Sequence, residues 1–149
     1  MRTTRPTQPE IFEVPSIWEF FGLSSGLDLE APGSREFTID VDPETRLIWP
    51  FYWCASDGET LAENLQPLTV VFEIDGAPVS PDHILEYEAA TEYWDCHYWA
   101  TMITGWPSRA QTSLTVRYVF SRSVYDGVRA YPAGEYSYTL KATVRGEDG

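Results

Sequence analysis

Hydrophobic positions in this chain recur with a period of two far more often than at helical spacing. Phe37, Ile39 and Val41 alternate with Glu36, Thr38 and Asp40. Leu114, Val116, Tyr118 and Phe120 alternate with Thr115, Arg117 and Val119. Tyr136, Tyr138, Leu140, Ala142 and Val144 alternate with Ser137, Thr139, Lys141 and Thr143. Such alternation marks strands with one buried face. The β-branched content of residues 68–74 predicts another strand, and Asp75-Gly76 after it is the strongest hairpin signal in the chain, with a short return through Ala77-Pro78-Val79. Residues 84–88 and 93–103 read as further strands. Helical spacing is confined to residues 60–65, long enough for one or two turns.

Residues 1–10 are polar and carry Pro6 and Pro9, which predicts an extended arm. Residues 11–21 are apolar but broken by Pro15, and proline cannot donate to a ladder, so they read as an edge strand or two short ones. The expected organisation is an N-terminal arm and edge strand over residues 1–22 and one β-sandwich domain over residues 23–149. Short strands with regularly spaced turn signals and no alternation with long helices point to an all-β fold. The expected architecture is an antiparallel immunoglobulin-like β-sandwich of seven to nine strands, with one short helical connection and the extended N-terminal arm.

A length of 149 residues, with 43% hydrophobic and 15% aromatic composition, is enough for one core. The net charge of −13 argues against nucleic acid as a partner, because phosphate binding needs clustered Lys and Arg. Between Arg46 and Arg109 there is no Lys or Arg at all, while ten acids fall there, from Asp57 to Asp95. That stretch would be repelled by anionic lipid headgroups. No apolar run reaches the roughly 20 residues of a spanning helix, so membrane insertion is not expected.

Both cysteines lie inside aromatic runs, Ile48-Trp49-Pro50-Phe51-Tyr52-Trp53-Cys54 and Tyr93-Trp94-Asp95-Cys96-His97-Tyr98-Trp99. A pair on two predicted strands reads as a disulfide joining Cys54 and Cys96 across the sandwich core, against the plainer reading of two unpaired buried thiols. A disulfide implies an oxidising compartment, hence an extracellular or cell-surface location, with a leader removed or absent from this chain. Zinc would need Cys54, Cys96, His83 and His97 without any supporting spacing. A nucleophilic cysteine would need a basic neighbour that neither has.

With Cys96 pointing into the core, alternation places Tyr93, Asp95, His97 and Trp99 on the opposite, exposed face. Aromatic rings beside a carboxylate and an imidazole suit a glycan or protein partner; a second layer of packing is the plainer alternative. Asp40, Asp42, Glu44, Asp75 and Asp126 offer oxygen ligands of the kind calcium takes, although none follows the Asp-x-Asp-x-Asp-Gly pattern. No other cofactor is expected. No nucleophile elbow, phosphate loop or His-Glu-x-x-His helix occurs, so the chain is not expected to be an enzyme.

Tyr52-Trp53-Cys54-Ala55, Ile74-Asp75-Gly76, Trp94-Asp95-Cys96, Gly105-Trp106-Pro107, Asp126-Gly127 and Tyr131-Pro132-Ala133-Gly134-Glu135-Tyr136 together resemble small secreted bacterial immunoglobulin-like domains over about residues 36–145. The resemblance implies extracellular display or binding without naming a ligand. A tryptophan directly beside Cys54, instead of midway between the cysteines, departs from the antibody pattern. The expected function is a noncatalytic secreted or cell-surface module that binds a protein or glycan. The alternative is a structural subunit, a homo-oligomer assembling into a filament, coat or appendage. In that case Ile11, Phe12, Val14, Ile17, Trp18 and Phe20 would add to a neighbour's sheet edge.

Overall fold

The computed structural model describes residues 1–17, 29–108 and 110–146. Trp18 and Phe20 lie outside the described residues. The chain opens with strand β1 (Arg2–Thr4) and helix α1 (Gln8–Glu13). It continues through β2 (Gly33–Val41), β3 (Leu47–Ala55), helix α2 (Gly58–Leu65), β4 (Leu68–Ile74) and β5 (Ala77–Pro78). A 3-10 turn at Pro81–His83 leads into β6 (Leu85–Ala90), β7 (Asp95–Thr104), β8 (Gln111–Phe120), β9 (Val124–Tyr125), β10 (Ala130–Tyr131) and β11 (Gly134–Val144).

Two sheets face each other. In sheet I, β7 pairs with β3 along one side, while β6 and β1 share its other side, one after the other. Sheet II runs β2-β11-β8-β4-β5. The grouping of β3, β7 and β6 against β4, β8 and β11 is the strand partition of an immunoglobulin-like sandwich. One pair departs from the expected antiparallel order, since β2 runs parallel to β11. Nearly the whole domain separates those two strands, so no tight hairpin imposes an antiparallel arrangement.

The predicted phases of β2, β8 and β11 hold. Ile39, Val41, Leu114, Val116, Tyr118, Phe120, Tyr136, Leu140, Ala142 and Val144 all belong to one buried cluster. The Asp75-Gly76 hairpin forms with both residues at positive φ, +49° and +83°, as its turn type requires. Helix α2 begins on Asp57, whose side chain accepts the Thr60 amide at 2.8 Å. That bond holds the Asp57 carboxyl below its usual value.

The N-terminal segment is not the extended arm expected. Thr7 and Glu10 form a reciprocal capping box, with Thr7 N–H donating to Glu10 Oε1 at 2.9 Å and Glu10 N–H donating to Thr7 Oγ1 at 3.4 Å. Pro9 sits in the first turn, where its missing N–H costs nothing. Ile11, Phe12 and Glu13 are therefore helical, and strand character among the described residues of this segment is limited to β1 and one parallel bridge from Ser16 to Ile48.

Rings from both sheets meet in the core. Trp49 packs edge-on against Phe72 at 4.9 Å, Phe51 lies 4.6 Å from Tyr118, and Trp53 meets Phe120 edge-on at 4.8 Å. Tyr136 is fully buried and donates its hydroxyl to Pro132 O at 2.6 Å, tying the start of β11 to the turn before it. Burial raises the Tyr136 pKa, which keeps that donor protonated.

Cys54 and Cys96 are disulfide-bonded, but not across the core. They are direct cross-strand partners in the β3–β7 ladder, so the bond staples neighbours within sheet I. Because Leu47, Trp49, Phe51, Trp53 and Ala55 point inward, Cys54 points outward with Ile48, Pro50 and Tyr52. Trp53 against Phe120 spans the gap in place of an inter-sheet bond. Replacing both cysteines with alanine is expected to lower unfolding free energy by about 4 kcal/mol, the loop-closure value for a 42-residue separation. The tryptophan fine structure of the near-ultraviolet circular dichroism should stay native, since the ring contacts of Trp49 and Trp53 lie on the other face. Loss of that signal in the folded baseline would show that the sandwich needs the bond.

Candidate functional site

The outer face of sheet I divides into two halves. At one end Val14, with Ile11 beside it, packs on Ile48, Ala100 and Met102 in a small separate cluster. At the other end three tyrosines stand in register across three strands. Tyr52 of β3 lies opposite Tyr98 of β7, which lies opposite Tyr87 of β6. The rings of Tyr87 and Tyr98 are parallel to within 4° at 4.9 Å, and those of Tyr52 and Tyr98 lie 5.4 Å apart. Tyr52 is 41% exposed. Burial, and then the proximity of Tyr98, raise the Tyr87 pKa, so its hydroxyl stays protonated at neutral pH.

The disulfide continues this surface into a cleft of about 590 Å³, which Tyr52, Tyr98, Cys54 and Cys96 help to line. Trp94 and Thr91 flank it from the turn between β6 and β7, and Val128 and Arg129 from the loop between β9 and β10. Both flanks are held by internal hydrogen bonds. Thr91 N–H donates to Trp94 O at 2.7 Å, and Trp94 N–H donates to Thr91 Oγ1 at 3.1 Å. Asp126, itself buried, accepts the amides of Val128 and Arg129 on one carboxylate oxygen at 2.8 and 2.7 Å.

The same loop is anchored to the sandwich. Ser56 N–H donates to Asp126 O at 2.8 Å. Gly127 has φ +102°, and a side chain there would run into Ser56. Buried Asn64 accepts the indole N–H of Trp53 at 2.9 Å and donates to Tyr125 O at 3.0 Å, which joins α2, β3 and β9. The loop thus presents Val128, 68% exposed, from a fixed backbone.

The exposed ladder expected from the sequence is not assembled. Tyr93 is exposed, in the turn before β7, but Asp95, His97 and Trp99 share the inward-facing parity of that strand, opposite Ala55, Trp53 and Phe51. Trp99 packs against the main core with its ring 5.4 Å from Phe51. His97 lies over Trp99 at 4.5 Å, with Nε2 2.9 Å from Glu86 Oε1 and Nδ1 3.4 Å from Glu88 Oε1. The alternation was correctly read and its two faces exchanged, because the carboxylates on β6 supply the polar inward side chain with partners. The sequence reading passed over Tyr52, Tyr87 and Tyr98; the signal that could have found them is the shared parity of Trp94, Cys96 and Tyr98.

The assembly-arm residues are divided as well. Val14 and Ile17 are buried in their own chain, Ile11 is partly buried, and Phe12 is 83% exposed. Of the calcium candidates, Asp42 pairs with Arg145 at 3.3 Å, Asp75 accepts the Ser113 amide at 2.9 Å, and Asp126 accepts two amides. Among the described residues, no group of three or more His, Cys, Asp or Glu is placed to hold a metal ion. No helix among them is long and apolar enough to cross a membrane.

No family model matches the chain, and no curated protein matches it. Among solved structures, the chain is similar to one described as "Structure of PbICP-C in complex with falcipain-2". The identity is 13%, with 83% of this chain and 98% of that chain covered and a TM-score of 0.47.

Replacing Asn64 with leucine would leave the Trp53 N–H and Tyr125 O without their partner. The expected cost is about 2 kcal/mol, together with faster hydrogen exchange at the Val128 and Arg129 amides. Unchanged exchange at those amides would show that Asn64 does not hold the loop.

Proposed function

We propose that this chain is a noncatalytic binding module of an oxidising compartment, secreted or displayed at a cell surface. It takes a protein partner on the tyrosine-bearing half of sheet I. The observation that carries this reading is the tyrosine row Tyr52–Tyr98–Tyr87, continuous with the disulfide-floored cleft and its fixed loop. Tyr, Trp and Arg are the side chains enriched where protein surfaces dock, and here they stand on strands or on loops held by hydrogen bonds, so little ordering entropy opposes binding.

The ring geometry favours a protein over a glycan. A pyranose stacks on a free ring face, but the faces that Tyr87 and Tyr98 turn towards each other are closed by their own stacking. The disulfide supports the compartment, since cytosolic thiols are kept reduced. Both imidazoles are engaged by neighbours, His97 by Glu86 and Glu88 and His83 by Thr3 Oγ1 at 2.9 Å, which favours a structural role for each. Self-assembly through the N-terminal segment draws less support, because β1 and Val14 are already engaged by their own sheet.

A peptide display library selected on the wild-type chain, alongside a glycan array, tests the reading. Selected peptides should bind at least about 30-fold more weakly to Tyr52→Ser and to Tyr98→Ser, the loss expected for central anchors, while both variants keep their native circular dichroism and the array stays blank. Tyrosine-dependent glycan binding, or peptides indifferent to both substitutions, would overturn it.

A further inference from the structure

The charges of the two sheets are arranged differently. On sheet II the cations are matched locally: Arg117 binds Glu73 at 2.9 Å and Glu135 at 3.1 Å, Lys141 pairs with Glu36 at 3.3 Å, and Arg145 pairs with Asp42 at 3.3 Å. On sheet I, the strands β3, β6 and β7 contain no Lys or Arg. Glu86 and Glu88 on β6 have His97 between them, and their side chains remain 57% and 66% exposed.

Strand β6 is also an edge. It pairs with β7 on one side over Leu85–Ala90, and no strand among the described residues pairs with its other side. The same flank of β7 already takes a second strand, since β1 adds to Met102–Thr104 just beyond β6. An open strand edge is a template for another chain, and Glu86 and Glu88 restrict which chain that is. A second copy of β6 would bring carboxylates against carboxylates, and like charges directly opposite destabilise a pair. A strand carrying cations at alternate positions would place them beside Glu86 and Glu88. Its intervening side chains, on the opposite face, would fall beside Tyr87 and extend the tyrosine row.

We propose that the outer edge of β6 takes a cationic polypeptide segment as an added strand. Its Lys or Arg side chains lie on Glu86 and Glu88, and its aliphatic or aromatic side chains lie against Tyr87. The occupant is thereby an extended basic segment of another protein, recognised by backbone pairing and by a two-residue charge repeat. The proposal rests on sheet I being the receptor sheet but does not require the cleft beside Cys54 to be occupied. His97, lodged between the two carboxylates, fixes their spacing in advance.

The full chain, isotope-labelled for amide spectra, would be titrated with a synthetic decapeptide of alternating Lys and Val. The controls are a Glu-Val repeat, a Lys-Ser repeat, and a Lys-Val repeat N-methylated at every second residue along one edge. The Lys-Val peptide should shift the amides of residues 85–90 first, weaken at least tenfold between low and moderate salt, and bind at least tenfold more weakly to a Glu86→Gln/Glu88→Gln variant. The Glu-Val peptide, the Lys-Ser peptide and whichever N-methylated register blocks the paired edge should each bind at least tenfold more weakly to the wild type. Equal binding of Glu-Val, shifts centred away from β6, or insensitivity to N-methylation in both registers would overturn the proposal. Should the double variant not fold, the N-methylated peptides decide the matter on the wild type. Val71→Thr, an exposed position of β4 on sheet II, should leave the Lys-Val affinity within about twofold. A failed Lys-Val titration beside Tyr52-dependent peptides from the display library would then remove this inference alone.

Discussion

The rest of the structure depends on the inward phase of β3. Trp49, Phe51 and Trp53 reach across to Phe72, Tyr118 and Phe120, so each inward ring of this strand meets a ring of the opposite sheet. Such pairs contribute about 0.5–1.5 kcal/mol each beyond the area they bury. Because side chains alternate strictly, that choice also sends Tyr52 and Cys54 outward. The disulfide therefore joins neighbours in one sheet, and aromatic contacts occupy the space an inter-sheet bond would bridge in an antibody-type domain.

Two consequences shape the functional surface. Ile11 of helix α1 and Val14 just after it pack on the end of sheet I near Ile48, Ala100 and Met102, while the Tyr52–Tyr98–Tyr87 row stands at its other end. The inward parity of β7 also brings His97 beside β6, where Glu86 and Glu88 engage it and stay largely in solvent. A tyrosine row, a fixed flanking loop and an acidic edge on strands without Lys or Arg thus lie on the same sheet, while the cations of sheet II are held by their own neighbours.

Much of the fold was legible in the sequence where polarity alternates. β8 and β11 place apolar residues on one face and Thr, Arg or Lys on the other, so phase follows from composition, and Asp75-Gly76 announces its hairpin through the positive φ it must adopt. The disulfide partners were legible because there are only two cysteines. β3 was not legible in phase, since both parities are apolar from Leu47 to Trp53 and either could face the core. β7 misled because the parity with Trp94, Cys96 and Tyr98 is the more apolar one, yet the inward set is Asp95, His97, Trp99, Thr101 and Ile103. Partners distant in sequence make that possible: Glu86 and Glu88 for His97, and Thr4 O for the buried Thr101 hydroxyl at 3.3 Å. The N-terminal helix was hidden by its prolines, although Thr7 and Glu10 stand at capping-box spacing. The candidate site was missed with the phase of β7, because the faces exchanged there are the faces of the site.

Hydroxyl-radical footprinting read out by mass spectrometry tests this phase most directly, since it reports side-chain access in the folded, oxidised chain. The account predicts strong labelling of Tyr52, Tyr93 and Val128 and protection of Trp49 and Trp53, which are 2% and 8% exposed. Labelling of Trp53 with protection of Tyr52 would contradict it, because β3 would then present its other face to the core.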